Sequence, residues 1–283
     1  MTRTGAEGEE GECPICGGRK VRHELRLGPE YRTCRHCGFL WRAGRAHFPN
    51  PNRAYAEGGG AARDLLSQEE RKERTAYYQS HLARLHRFVS PPGRLLEIGC
   101  GTGGLSRAAL DAGWDVQAIE PSPLLRRAAE HLLGHERVLG CSLESAEIEE
   151  QSFDVVLALD VIEHIPDPLL LPERVGRWLR SGGVLALQTP NAHSLRRRLC
   201  GSRWNMIQPD RHFLFHTMQS LRTLFQTRGF ETLLLRTASG TGVGGALRRA
   251  AARIYGRLLA AFGLGNALYL IARRGDSSEA SGN

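Results

Sequence analysis

The chain has 283 residues, with 38 Lys+Arg against 30 Asp+Glu, a net charge of +8, 41% hydrophobic and 24% charged residues. That balance is ordinary for a globular protein and excludes collagen-like, coiled-coil and wholly disordered chains. No run approaches eighteen consecutive apolar residues, so a membrane-spanning helix is not expected. Residues 1–12 (MTRTGAEGEEGE) are polar and acidic, without the apolar segment of a secretory leader. They are expected to be disordered, and the expected compartment is the cytoplasm. Lys20 and Lys72 are the only lysines, so the basic charge reads as a compositional preference for arginine rather than a built basic patch. A pI of about 9.4 still admits an acidic partner, with nucleic acid the less favoured kind.

Four of the seven cysteines form a pattern: Cys13-Pro-Ile-Cys16, seventeen residues, then Cys34-Arg-His-Cys37. Two residues between cysteines let one tight turn offer both thiolates to one ion, and two such turns complete a tetrahedron. The pattern predicts a zinc ribbon over residues 13–41, with a short hairpin between the pairs. Four thiolates leave no open position, so the zinc is expected to be structural. Without a leader, disulfides are disfavoured. Cys100, Cys141 and Cys200 stand alone and read as small hydrophobes. Residues 42–66, rich in Gly, Ala, Arg, Asn and Pro, read as a linker. A second domain is expected over 67–273 and a disordered tail over 274–283.

In the second domain, Ser67 to about Val89 predicts a helix, with Ser67 and Glu70 spaced as a capping box. Strand and helix patterns then alternate: strand Arg94–Ile98, helix Gly103–Ala112, strand Val116–Ile119, helix Pro123–Leu133, a short strand Val138–Leu139. Strand Phe153–Leu159, helix Pro168–Leu179 and strand Val184–Gln188 continue the series. Helix Gln219–Arg228 and strands Glu231–Arg236 and Ala267–Ala272 close it. This rhythm predicts an α/β fold with a doubly wound, mostly parallel sheet of seven strands.

The first strand runs into Glu97-Ile-Gly99-Cys-Gly101-Thr-Gly103-Gly104. Gly99, Gly101 and Gly104 satisfy the dinucleotide pattern, but Glu97 stands two residues before the first glycine. A carboxylate there repels a pyrophosphate and favours a cationic ligand, such as the sulfonium and ammonium groups of S-adenosylmethionine (SAM). Glu120, at the end of the second strand and nineteen residues past Gly101, is placed to accept both hydroxyls of a ribose.

LLEIGCGTGG, AIEPSP, SFDVVLALDVIEHIPDP, GGVLALQTPN and PDRHFLFHTMQSLRTLFQTRGF occur in order. They resemble the successive motifs of class I SAM-dependent methyltransferases, in particular the group with ubiquinone-pathway and glycan O-methyltransferases. Some members of that group carry a ribbon resembling Cys13–Gly38. The resemblance implies a Rossmann-like fold over about residues 67–273. It implies that Glu97, Gly99, Gly101 and Gly103 line the methionine and ribose end of SAM. Glu120 is implied at the ribose, with Pro121 and Ser122 near the adenine. Ser142 and Leu143 fall where a Gly-Asp commonly meets the adenine, here without the aspartate. Leu159 and Asp160 are implied to face the methyl group, and Thr189, Pro190 and Asn191 to share that rim.

Methyl transfer to a hydroxyl needs alignment and a place for the proton. His164, His212 and His216 are candidates, of which His164 and His212 lie in segments expected at the rim; Glu163 is a candidate to hold His164. Residues 191–216 suit a substrate-facing flap, in which Arg196, Arg197, Arg198 and Arg203 are candidates to clamp a phosphate or carboxylate. Residues 245–262 place Leu247, Ala250, Ile254, Leu258 and Ala261 opposite Arg249, Arg253 and Arg257. That face suits packing within the protein first and a peripheral membrane contact second. The expected activity is methyl transfer to a hydroxyl of a small molecule, saccharide or lipid-linked intermediate. The alternatives are an RNA methyltransferase that grips nucleic acid with its ribbon, and a non-catalytic adaptor. The end of the fourth strand, Leu-Asp-Val-Ile, lacks the Asn/Asp-Pro-Pro-Tyr type of motif and so disfavours attack by an exocyclic base amine.

Overall fold

The computed structural model describes residues 11–25, 27–28, 30–43, 68–238 and 256–275. Most of the expected disordered start, nearly all of the expected linker and most of the tail, the cap at Ser67 and most of the face at 245–262 lie outside the described residues.

Two sheets organise the chain. The larger contains β4 (Arg94–Ile98), β5 (Asp115–Ile119), β6 (Val138–Leu139), β7 (Phe153–Leu159), β8 (Leu179–Pro190), β10 (Phe230–Ala238) and β11 (Ala267–Arg274), in the order β10-β11-β8-β7-β4-β5-β6. The five strands from β8 to β6 are parallel, and β11 and β10 add antiparallel pairs. This is the predicted Rossmann-like, mostly parallel seven-stranded sheet. The smaller sheet contains β1 (Val21–His23), β2 (Tyr31–Cys34), β3 (Leu40–Arg42) and β9 (Leu214–Phe215), all antiparallel. Thus the hairpin between the cysteine pairs forms, and its sheet is continued by a strand contributed from 180 residues downstream.

The helices are α1 (Gln68–Leu85), α2 (Gly104–Asp111), α3 (Pro123–Leu133), α4 (Leu170–Trp178), α5 (Leu195–Cys200) and α6 (Met218–Gln226). Strands covered on both faces read as continuous apolar runs rather than alternations, and β4 shows why. Leu95 packs with Leu82 and Leu85 of α1 and Leu105 and Ala109 of α2. Its neighbour Leu96 belongs to the opposite layer, with Leu171 and Val175 of α4 and Leu221, Leu224 and Phe225 of α6. Local chemistry sets the ends of these elements. Pro123 opens α3 behind Ser122, and Gly134 closes it. Thr217 and Ser220 form a reciprocal capping box on α6.

β8 is longer than the predicted Val184–Gln188. Leu179 already pairs with Phe153, the chain detours through a turn at Gly182 (φ 74°), and regular pairing resumes at Val184 against Val155. α5 and β9 are absent from the sequence-based prediction because each is too short to show a period. Strand order reverses at β4, which lies between β5 and β7. Open parallel sheets bind ligands outside the carboxyl ends of the strands at such a reversal.

Candidate functional site

The turn after β4 is built on left-handed glycines. Gly99, Gly101 and Gly103 have φ of 70°, 57° and 82°, a region that side chains with a Cβ avoid. The Gly99 and Cys100 N–H groups donate to the Ile119 carbonyl at 2.9 and 3.1 Å, which ties the turn to the end of β5. Glu120 continues that tie. Its Oε2 accepts the Gly101 N–H at 2.8 Å and its Oε1 accepts the Ser122 N–H at 2.9 Å. Burial pushes its carboxyl above the usual range, and the two N–H groups pull the other way.

A cavity of about 430 Å³ opens beyond this turn. Gly99, Gly101, Glu120, Pro121, Ser142, Leu143 and Asp160 line it, together with Ile98, Ile119, Val161 and His164. Four residues expected around the ligand stand outside the lining: Ser122, fully buried at the start of α3, and three others. Glu97 is only 5% exposed and takes a hydrogen bond from the Ser106 hydroxyl of α2. Burial raises its carboxyl to about 7. Gly103 faces α3, where a Cβ would meet Ala129 and Leu133. Leu159 packs at the edge of the layer that holds α1 and α2. Glu97 and Gly103 support the turn from behind.

A second cavity, of about 520 Å³, adjoins the first: Gly101, Leu125, Asp160 and His164 line both. Its remaining walls come from three places. Arg74 and Tyr78 belong to α1, Glu163 follows β7, and Arg196, Trp204, Asn205, Met206, Gln208, Arg211 and His212 come from the flap after β8. Pro190 lines it too, while Thr189 and Asn191 are buried and act on neighbours. Thr189 Oγ1 donates to Glu163 Oε2 at 3.0 Å, and the Asn191 amide donates to the Gly263 and Gly265 carbonyls. Asp160 stands at the seam with φ 56°, its carboxylate accepting from Gln188 Nε2 at 3.2 Å.

His164 and His212 come together there, with ring centroids 4.7 Å apart. His164 Nδ1 meets the Arg211 carbonyl at 2.8 Å, and His212 Nδ1 meets the Met206 carbonyl at 2.7 Å. A carbonyl only accepts, so both Nδ1 atoms carry the proton and both Nε2 atoms keep a lone pair. Burial lowers both imidazoles, His164 to about 4 with a further push from His212. Glu163 is 1% exposed, and burial, then the charge of Asp160, holds its carboxyl well above the usual range. It accepts a hydrogen bond from the Thr189 hydroxyl. His216, the third candidate, is fully buried against Phe39 (centroids 4.8 Å apart), away from both cavities.

The arginine run divides. Arg196 lines the second cavity; Arg197 reaches Glu24 of the ribbon at 3.9 Å and donates to the Ala192 carbonyl at 3.0 Å. Arg74 and Tyr78 were not singled out from sequence. For Tyr78 the signal is indirect: a Cβ on Gly104 would come within 2.6 Å of its ring.

Cys13, Cys16, Cys34 and Cys37 converge. Cys13 Sγ lies 3.6 Å from Cys37 Sγ, and Cys16 Sγ lies 3.6 Å from Cys34 Sγ. Zinc–sulfur bonds of about 2.3 Å in a tetrahedron separate the sulfurs by about 3.8 Å, so the set fits zinc. The Gly17 and Gly38 N–H groups close the two turns onto the Cys13 and Cys34 carbonyls, both at 2.9 Å.

Residues 70–235, more than half of the chain, match the family described as "Methyltransferase domain". The chain belongs to this methyltransferase family. Among curated proteins it is similar to the "Ubiquinone biosynthesis O-methyltransferase" of Xanthomonas campestris pv. campestris (strain B100), 37% identical over 110 residues, which are 37% of this chain and 46% of that protein. The protein of the same name from Azorhizobium caulinodans is 35% identical over 103 residues, covering 35% of this chain and 40% of that one. The match thus spans less than half the length of these relatives. Among solved structures, the PH0226 protein from Pyrococcus horikoshii OT3 superposes with TM-score 0.56 at 16% identity, over 78% of this chain and 98% of that one. A SAM-dependent methyltransferase from Archaeoglobus fulgidus gives 0.53 at 17% identity, over 72% and 97%. These likenesses place the sheet of this methyltransferase-family chain in the class I fold.

Proposed function

We propose that the chain is a SAM-dependent methyltransferase acting on a hydroxyl of a small molecule, saccharide or lipid-linked intermediate. The observation that carries this reading is the junction of two cavities at Asp160 and His164. One cavity has the glycine turn and the ribose-type carboxylate Glu120. The other is deeper in polar groups and holds paired neutral imidazoles. Family membership and the relatives named for O-methyl transfer support it.

SAM supplies an electrophilic methyl group on a sulfonium. The protein's part is to align an acceptor oxygen with it and exclude water, which can supply much of the acceleration. Gly99 and Gly101 let the backbone approach the cofactor, and Glu120 takes the ribose hydroxyls on lone pairs left beside its two backbone partners. Asp160 faces the methyl position. His164 and His212 present Nε2 lone pairs to the acceptor hydroxyl, orienting it and drawing on its proton. Arg196 and Arg74 give the acceptor cavity a cationic wall suited to an anionic or polyhydroxyl group. In the ribbon, the four cysteines hold a structural zinc.

The test is transfer of label from methyl-labelled SAM to a panel of hydroxylated metabolites and glycans. The expected product is an alkali-stable ether. His212→Ala is expected to lower transfer by about 10²-fold, the lower range for loss of a proton-handling group. Label found only on amines would refute the hydroxyl assignment.

A further inference from the structure

We propose that the methyl acceptor carries a phosphoryl group, and that Arg74, Arg196 and Arg211 hold it at the rim of the acceptor cavity. The proposal rests on the methyltransferase reading and narrows its substrate to phosphorylated hydroxy compounds. The three arginines come from remote parts of the chain: Arg74 from α1, Arg196 from α5 and Arg211 from the segment before β9. All three line the same cavity of about 520 Å³. Elsewhere the fold pairs its arginines, Arg137 with Asp115 at 2.9 Å and Arg197 with Glu24 at 3.9 Å. Among the described residues, Arg74 and Arg196 have no such partner.

The charge of the wall selects the group. Among the described residues, Asp160 and Glu163 are the only carboxylates in the lining. Burial, then the charge of Asp160, holds the Glu163 carboxyl well above the usual range, which favours its neutral form. Asp160 stands at the seam with the cofactor cavity, where its charge answers the sulfonium. Arg74 and Arg196 thus bring two unpaired positive charges to the acceptor, and Arg211 adds a third donor fork. A carboxylate on the acceptor would offset one charge. A phosphoryl monoester carries about −1.5 to −2 at neutral pH and offers oxygens to several guanidinium forks at once.

Burial orients the acceptor. His212 is buried and His164 half-buried, whereas Arg74 and Arg211 are half-buried and Arg196 is exposed. The imidazoles therefore take the inner end of the acceptor and the guanidiniums its outer end. A phosphorylated acceptor enters hydroxyl first and keeps its phosphoryl oxygens at the rim. The Asn205 and Gln208 side chains add neutral polar groups to the same wall. The Arg211 carbonyl fixes His164 Nδ1 at 2.8 Å, so one residue serves the phosphoryl end and sets the imidazole at the hydroxyl end.

The experiment is titration of inorganic phosphate with the SAM-bound full chain at constant ionic strength, followed by phosphorus NMR, with acetate as the competing anion. Saturable phosphate binding is expected, at least tenfold tighter than that of acetate. Arg74→Gln and Arg196→Gln are each expected to weaken it at least tenfold. Retained SAM affinity shows that these variants are folded, and where one loses SAM binding the other decides. Sedimentation with phosphatidylcholine vesicles, with and without phosphatidic acid, identifies the source. Arginine-dependent binding to the phosphatidic acid vesicles assigns a lipid-borne phosphoryl group, and its absence beside phosphate binding assigns a soluble phosphorylated acceptor. No phosphate binding by a chain that binds SAM, acetate binding as tight as phosphate, or unchanged phosphate affinity in a folded variant overturns the phosphoryl site. Failure to bind SAM would instead refute the methyltransferase reading.

Discussion

Glu120 joins two functions in one carboxylate. Its oxygens hold the Gly101 and Ser122 N–H groups, so it shapes the turn as well as facing the cavity. Hydrogen bonds to a charged group contribute about 1.5–3 kcal/mol each. Glu120→Ala is therefore expected to weaken SAM binding at least tenfold while zinc content stays unchanged, as calorimetry and metal analysis would show. Equal SAM affinity would remove Glu120 from the site. Glu97 makes a prediction in pH. Its buried carboxyl sits at about 7 in the free protein, and although it stands behind the turn and outside the cavity, the positive charge of a sulfonium bound across the turn favours its ionised form. Binding then releases a proton below that pH, so SAM affinity rises as pH increases towards about 7 and levels off above it. Glu97→Gln is expected to flatten the rise. Spacing from the glycines fixed the place of both carboxylates at strand ends, and Glu120 lines the cavity as expected, but that Glu97 turns behind the turn towards Ser106 was not legible. Nor was the pairing of Glu163 with Thr189, because it joins the ends of two neighbouring strands, and no local spacing encodes that.

At the scale of elements, the ribbon is tied to the acceptor wall. β3 pairs with β9 through Leu40–Phe215 and Trp41–Leu214, immediately after His212. Arg42 N–H donates to the Phe213 carbonyl at 2.9 Å, and Thr217 Oγ1 to the Cys37 carbonyl at 2.6 Å. Two consequences follow. Thr217→Val removes both this bond and the cap on α6, and is expected to cost about 1–2 kcal/mol, read as a fall in Tm of a few degrees. Removing the zinc proposed at the four cysteines is expected to raise the acceptor KM while leaving SAM affinity within about twofold; parallel loss of both would mean that this small sheet supports the whole fold equally. The cysteine pattern announced the convergence of the four thiols, and a hairpin formed between the pairs. That β9 would complete its sheet was not legible, since two residues of strand carry no period and the partner is distant in sequence.

Over the whole molecule, the parallel sheet was the most readable feature. β4, β5 and β7 are short apolar runs bounded by glycine, proline or acidic residues, and each helix between them shows one apolar face. The core this creates has one layer on each face of the sheet, with Trp178 and Phe225 buried in the layer of α4 and α6. Phe225→Ala is expected to cost about 3–5 kcal/mol, measured by denaturant unfolding. The acceptor cavity was only partly readable, because α1, the turn after β7 and the flap after β8 meet there from three remote parts of the chain. What those parts enclose depends on the cavity next door holding SAM. Calorimetric titration of the folded, metal-analysed chain with SAM and, separately, with NADH tests this directly. The account predicts micromolar binding of SAM and none of NADH; no SAM binding by folded protein, or binding of NADH instead, would contradict it.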